Sequence, residues 1–225
     1  NFTPLPDGFI SIEEPDPYWI DKFRSLYGEP SEPSPITSMF EDVDSKHWAY
    51  DFITKLYKAG ITKGCSTNPQ LYCPNKNVTR AEMAVFLERG LNGSEFQPPV
   101  GSSTIFADVL ANQWAVDWIE QLYKDGITNG CSANPLLYCP DNPVSRAEMA
   151  VFLLRAIHGS NYTPEKIDGD TGFNDGPTTH WAAAWIKQLA AEGITTGCDG
   201  GNYCPDDPVS RAEMAVFLVR IFNLP

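Results

Sequence analysis

One set of landmark residues occurs three times along this chain, in the same order. That internal repetition constrains the fold more than any other feature of the sequence. Phe40, Asp42 and Val43 return as Phe106, Asp108 and Val109, and again as Phe173 and Asp175 with Gly176 in the last place. The pair Trp48 and Ala49 returns as Trp114 and Ala115 and as Trp181 and Ala182. A Gly-Ile-Thr triplet begins at Gly60, Gly126 and Gly193, and Tyr-Cys-Pro begins at Tyr72, Tyr138 and Tyr203. A longer run, Val-Thr/Ser-Arg-Ala-Glu-Met-Ala-Val-Phe-Leu, begins at Val78, Val144 and Val209. The copies are offset by 65 to 67 residues. A unit of this size is small for a core of its own, so the copies are expected to pack on one another.

Each copy reads as two principal helices, and the fold class is mainly α. The first helix is expected to start near Asp44 or Ser45. Trp48, Phe52, Ile53, Leu56 and Tyr57 then share one face, and Gly60 serves as the C-terminal cap. The second starts at Thr79. Thr79 and Glu82 have the spacing of a capping box, repeated by Ser145 with Glu148 and by Ser210 with Glu213. The body that follows, Met83 to Leu87, is apolar on nearly every face, which predicts burial on most sides. Met83, Met149 and Met214 are read as core. Three such helices most simply form a central bundle with the amphipathic helices outside. The expected divisions are an N-terminal extension with a Pro-rich linker over 1–39, then repeats over 40–105, 106–172 and 173–225. Within the extension, Asp16 to Tyr27 is expected to form an amphipathic helix and Gly28 to Ser38 a linker.

The six cysteines fall two to a copy: Cys65 and Cys73, Cys131 and Cys139, Cys198 and Cys204. Zinc usually needs four ligands in one place, and the three histidines of the chain lie outside these loops. No Cys-x-x-Cys is present for redox work. A disulfide within each copy is the simple reading, and it implies an extracellular or other oxidising location. Asp168 to Asp175 lacks the fifth- and sixth-position residues and the distal Glu of a calcium loop, so no metal or other cofactor is expected. The formal net charge of −13 argues against nucleic acid as a partner, because like charge repels the phosphate backbone. No apolar run is long enough for a chain integral to a membrane. No signal peptide is visible at the N-terminus, where Asn1 is read as a mature end or a boundary.

Taken together, Phe-x-Asp-Val, His-Trp-Ala, Gly-Ile-Thr-x-Gly and Val-Thr-Arg-Ala-Glu resemble the S-layer homology (SLH) family, from Phe40 to about Phe222. The resemblance implies a pseudo-three-fold spindle of helical repeats. It also implies grooves between adjacent repeats that bind an anionic or pyruvylated cell-wall polysaccharide. Carried over motif by motif, it makes Arg80, Arg146 and Arg211 groove-lining, with Trp48, Trp114, Trp181, Asp42, Asp108 and Asp175 nearby. This chain departs from the family's Gly-Tyr-Pro-Asp-Gly-Thr-Phe loop, carrying Gly64-Cys65 through Cys73-Pro74 instead. Repeat two has Gln113 where the family has His.

The residues leave two readings of the arginines. A cation in the first turn of a helix is opposed by the helix dipole, so helix formation does not explain it. Either it pairs with Asp42 or an equivalent acid of a neighbouring copy, or it meets a ligand anion. The tryptophans are read first as partly core, with sugar stacking as the alternative. No convergent set of acid, base and nucleophile is found, and the notable polar residues come in triplicate, as multivalent binding requires. The expected function is a non-catalytic cell-surface module that anchors a protein or layer to wall polysaccharide. The alternatives are a structural subunit that contacts another surface protein, or one part of a larger secreted enzyme. On the anchor reading, replacing all three arginines by alanine abolishes wall binding without unfolding the chain.

Overall fold

The structure is a computed structural model and describes residues 2–4, 10–12 and 38–225. It divides into two compact units, Asn1–Thr37 and Ser38–Pro225. In the first, β1 (Phe2–Pro4) pairs antiparallel with β2 (Ile10–Ile12). The helix expected over Asp16 to Tyr27 and most of the expected linker lie outside the described residues.

The second unit holds all three repeats and is mainly helical. Its helices are α1 (Tyr50–Lys58) and α2 (Arg80–Asn92), α3 (Val116–Lys124) and α4 (Arg146–His158), and α5 (Ala183–Ala191) and α6 (Arg211–Ile221). Among the described residues, no helix is long and apolar enough to cross a membrane. Each first helix ends in a Schellman motif. Ile61 N–H reaches the Leu56 carbonyl and Gly60 N–H the Tyr57 carbonyl. Gly60, Gly126 and Gly193 all sit at φ +71°, a backbone angle that favours glycine.

The first helices begin later than the sequence suggests. Lys46 N–H donates to Asp44 Oδ1 and Ala49 N–H to His47 Nδ1, so side chains hold residues 44–49 in turns. The helix starts only at Tyr50. Trp48 therefore precedes the amphipathic face and does not join it.

The second helices start as expected. Glu82 N–H donates to Thr79 Oγ1 and Thr79 N–H to Glu82 Oε2, and both other copies repeat the box. Their bodies are buried, with Met83, Met149 and Met214 fully enclosed. The helices that pack side by side come mostly from different repeats: α2 with α3, α4 with α5, and α1 with α6. The last pair joins the first repeat to the third and closes a ring. A backbone triangle marks the closure. Val144 N–H donates to the Val78 carbonyl, Val209 to Val144, and Val78 to Val209, each at 2.9 Å. No repeat completes a core alone; one continuous apolar cluster runs from Phe40 to Val219.

Between the two helices of each copy lies a disulfide loop: Cys65–Cys73, Cys131–Cys139 and Cys198–Cys204. The first two loops carry short antiparallel pairs, β3 (Ser66–Thr67) with β4 (Gln70–Leu71) and β5 (Ser132–Ala133) with β6 (Leu136–Leu137). The third loop is two residues shorter, with the cysteines 6 apart in sequence where the others are 8 apart.

Candidate functional site

The arginine of each capping-box motif is almost fully buried, at 3, 3 and 2% exposure for Arg80, Arg146 and Arg211. Arg80 Nε donates to the Tyr138 carbonyl at 2.7 Å, and Nη1 pairs with Glu148 Oε1 at 2.6 Å. Arg146 repeats both contacts with Tyr203 and Glu213, and Arg211 with Tyr72 and Glu82. Each guanidinium also lies over two rings, as Arg146 does over Tyr203 and Phe217 at 5.1 and 5.6 Å. In return, the Tyr138 hydroxyl donates to the Arg80 carbonyl, and the other two copies match. These ion pairs thus run from copy one to two, two to three, and three to one. The capping glutamate does two jobs: one oxygen closes its own helix and the other takes the neighbour's arginine.

The pairing reading of the arginines is therefore realised, but with a different acid than Asp42. Asp42 Oδ1 and Oδ2 accept the backbone N–H groups of Tyr72 and Cys73 at 2.8 and 2.7 Å. Asp108 and Asp175 hold the equivalent loops in the same way. Cys73, Cys139 and Cys204 sit at φ of 57° to 58°, and the aspartate clamp offsets that strain. These three aspartates hold loops, and they are not among the residues that line the three grooves between the copies. The sulfurs near Asp108 and Asp175 are disulfide sulfurs, which leaves no thiolate to bind a metal.

Three equivalent grooves open where the copies meet, with cavity volumes of about 400, 240 and 190 Å³. The Trp48 groove is lined by Trp48 of copy one, Arg146 of copy two, and Thr195, Glu213, Phe217 and Arg220 of copy three. The Trp181 groove combines Trp181, Arg80, Thr128, Glu148, Phe152 and Arg155. The Trp114 groove combines Trp114, Arg211, Thr62, Glu82, Phe86 and Arg89. Every groove draws on all three copies. Trp48, Trp114 and Trp181 are each 62% exposed, which overturns the reading of them as partly core. His47 stacks on Trp48, and His180 lies tilted against Trp181.

A second arginine in each groove escaped the sequence reading. Arg89, Arg155 and Arg220 each follow a motif arginine by nine residues, and that regular spacing was the signal available in the sequence. Arg89 and Arg155 lie over Trp118 and Trp185 at 5.1 and 5.4 Å. Burial lowers the pKa of both, because desolvation disfavours the charged form. Among the described residues, Arg89 Nε, Arg155 Nε, Arg146 Nη2 and Arg211 Nη2 are buried without a hydrogen-bond partner. Each groove thus holds two guanidinium groups against one carboxylate, with spare donors and an exposed indole. Such a site complements an anion attached to a flat, partly apolar ring.

Comparison with known proteins agrees with this architecture. The model of the S-layer homology domain matches residues 40–84, in the first copy, and 172–215, which covers most of the third; the second carries the same landmarks. The chain is 32% identical over 185 residues to an amylopullulanase of Thermoanaerobacterium thermosulfurigenes, covering 82% of this chain and 9% of that protein. It is 28% identical over 183 residues to an S-layer protein of Bacillus thuringiensis subsp. finitimus, covering 80% and 21%. It is 27% identical over 150 residues to a cellulosome-anchoring protein of Acetivibrio thermocellus, covering 67% and 33%. The chain thus spans a third or less of these relatives. The domain they share is non-catalytic, including where the relative is an enzyme, and it places this chain outside the cell at the surface. The three-copy motif set, the repeat-to-repeat packing and these matches together make the chain a member of the S-layer homology domain family.

Proposed function

We propose that the three grooves bind an anionic cell-wall polysaccharide, pyruvylated or otherwise acidic, and so anchor a larger secreted protein or a surface layer to the wall. One observation carries the reading: two arginines face one glutamate in each groove, beside an indole that is 62% exposed. The inner arginine is fixed by its ion pair and ring contacts, so it meets a ligand without reorganising. The exposed tryptophan offers a face to a sugar ring. Local positive charge overcomes the chain's net charge of −13, which would otherwise repel an acidic polymer. Triplicate sites on one polymer raise the overall avidity well above that of a single groove.

The tryptophans give the cleaner test, since they carry little of the core. The variant Trp48→Ala, Trp114→Ala, Trp181→Ala is expected to keep its fold, at about 0.5 kcal/mol or less per site by urea unfolding. Each groove is expected to lose about 2 kcal/mol of binding, roughly thirtyfold in affinity for the purified wall polymer. A folded triple variant that binds the polymer like the parent would remove the grooves from the account.

A further inference from the structure

The three grooves are alike in plan and unlike in charge. The Trp114 groove adds Lys63, where the other two have Asn129 and Thr196. Its glutamate, Glu82, is also shared with Lys76 at 3.6 Å, and its ion pair with Arg211 is looser, at 3.2 Å against 2.6 Å in the other copies. The residues matching Lys76 are Asn142 and Asp207; the carbonyl of each accepts the backbone N–H of a motif arginine. Arg211 is therefore the least neutralised of the three inner arginines.

A further cavity of about 400 Å³ adjoins this groove, and Thr62, Lys63 and Arg89 line both. Its far side is formed by Lys58, Ser94, Glu95 and Gln97. Three cations thus face one carboxylate, and Ser94 Oγ donates to Glu95 Oε1. Copy two has Lys124 at the position of Lys58, but Lys124 pairs with the buried Glu120. Copy three has Ala191 there. Among the described residues Lys58 and Lys63 make no ion pair, so copy one alone offers a second set of cations beside its groove.

We infer that the Trp114 groove continues into a second anion subsite, at Lys58 and Lys63, which takes the next acidic unit of the same polymer chain. The inference rests on the reading of the grooves as polysaccharide sites. It makes the preferred ligand a polymer acidic on consecutive units, not one capped by a single acid. The cavity has the size of a small-ligand pocket and accepts one more sugar unit.

Calorimetry of the full chain with sized fragments of the purified wall polymer tests this. Fragments with two acidic units are expected to bind one site per chain about tenfold more tightly than fragments with one. Lys58→Glu is expected to erase that difference and leave single-acid fragments unaffected, because Lys58 lies outside the three grooves. Lys124→Glu, its counterpart in copy two, is expected to change neither. A two-acid advantage that is absent from the parent, or that survives Lys58→Glu, would overturn the second subsite and leave the grooves standing. Failure of the parent to bind either fragment would overturn the groove reading and this one with it.

Discussion

Replacing Arg146 with alanine is expected to lower the unfolding free energy by about 2–4 kcal/mol. The change strands Glu213 Oε1 and the Tyr203 carbonyl and removes a cation lying over Tyr203 and Phe217. Arg146 is buried but Glu213 keeps 30% side-chain exposure, so the stranded carboxylate rehydrates in part and the rest of the cost falls on the Tyr203 carbonyl and the lost ring contacts. Because the ion pairs connect different repeats, the loss loosens the joint between copies two and three and spares local helix structure. Arg211→Ala is expected to cost about 1 kcal/mol less, since Lys76 still neutralises Glu82. Urea unfolding of both variants checks the size and the order. A loss below about 1 kcal/mol at Arg146 would mean that the arginine serves the groove alone. For the triple arginine variant, folding itself is in question, so loss of wall binding there does not separate the two roles.

Glu88→Leu is expected to stabilise the chain, and more so as pH rises. Glu88 is fully buried in α2, facing the second repeat, at the position where the other copies have Leu154 and Val219. Its Oε2 accepts from Asn92, while Oε1 is without a partner among the described residues. Burial, together with the neighbouring carboxylate of Asp125, pushes its pKa up to about 8 from the usual 4.5. Below pH 4.5 both folded and unfolded chains hold the proton, and Glu88 contributes no pH dependence. Between 4.5 and about 8 the unfolded chain releases its proton and the folded chain keeps it, so stability falls with rising pH. Above that range the penalty is constant. Leucine removes it, so the gain over the parent is expected to grow to about 2–4 kcal/mol at pH 8. Paired melting curves at pH 4 and pH 8 check this; an equal gain at both values would show that Glu88 does not titrate in this window.

What the sequence made legible follows from local rules. Repetition, the capping boxes, the glycine caps and the cysteine pairs depend on neighbours in the chain, and each could be placed from a few adjacent residues. Trp48 was misjudged because helical spacing was extended back past His47, whose side chain holds a turn that ends the periodicity. The loop-holding bonds of the aspartates were not legible because their partners lie 28 to 31 residues away and are backbone groups, which leave no mark in composition. The acid that meets each arginine was hidden for a related reason. Glu82, Glu148 and Glu213 were fully explained by capping, and one capping oxygen does not reveal what the other binds. Arg89, Arg155 and Arg220 were passed over because their surroundings come from other repeats: the packing of α2 on α3 and α4 on α5 puts Trp118 and Trp185 beside the first two.

Co-sedimentation of the full chain with cell-wall sacculi from its own source, before and after chemical removal of the polymer that is not peptidoglycan, tests the central claim most directly. The grooves require binding to intact sacculi, loss of that binding with the polymer, and weakening as salt rises. Binding that survives removal of the polymer, or none to intact sacculi, would contradict a glycan anchor and turn attention to a protein partner.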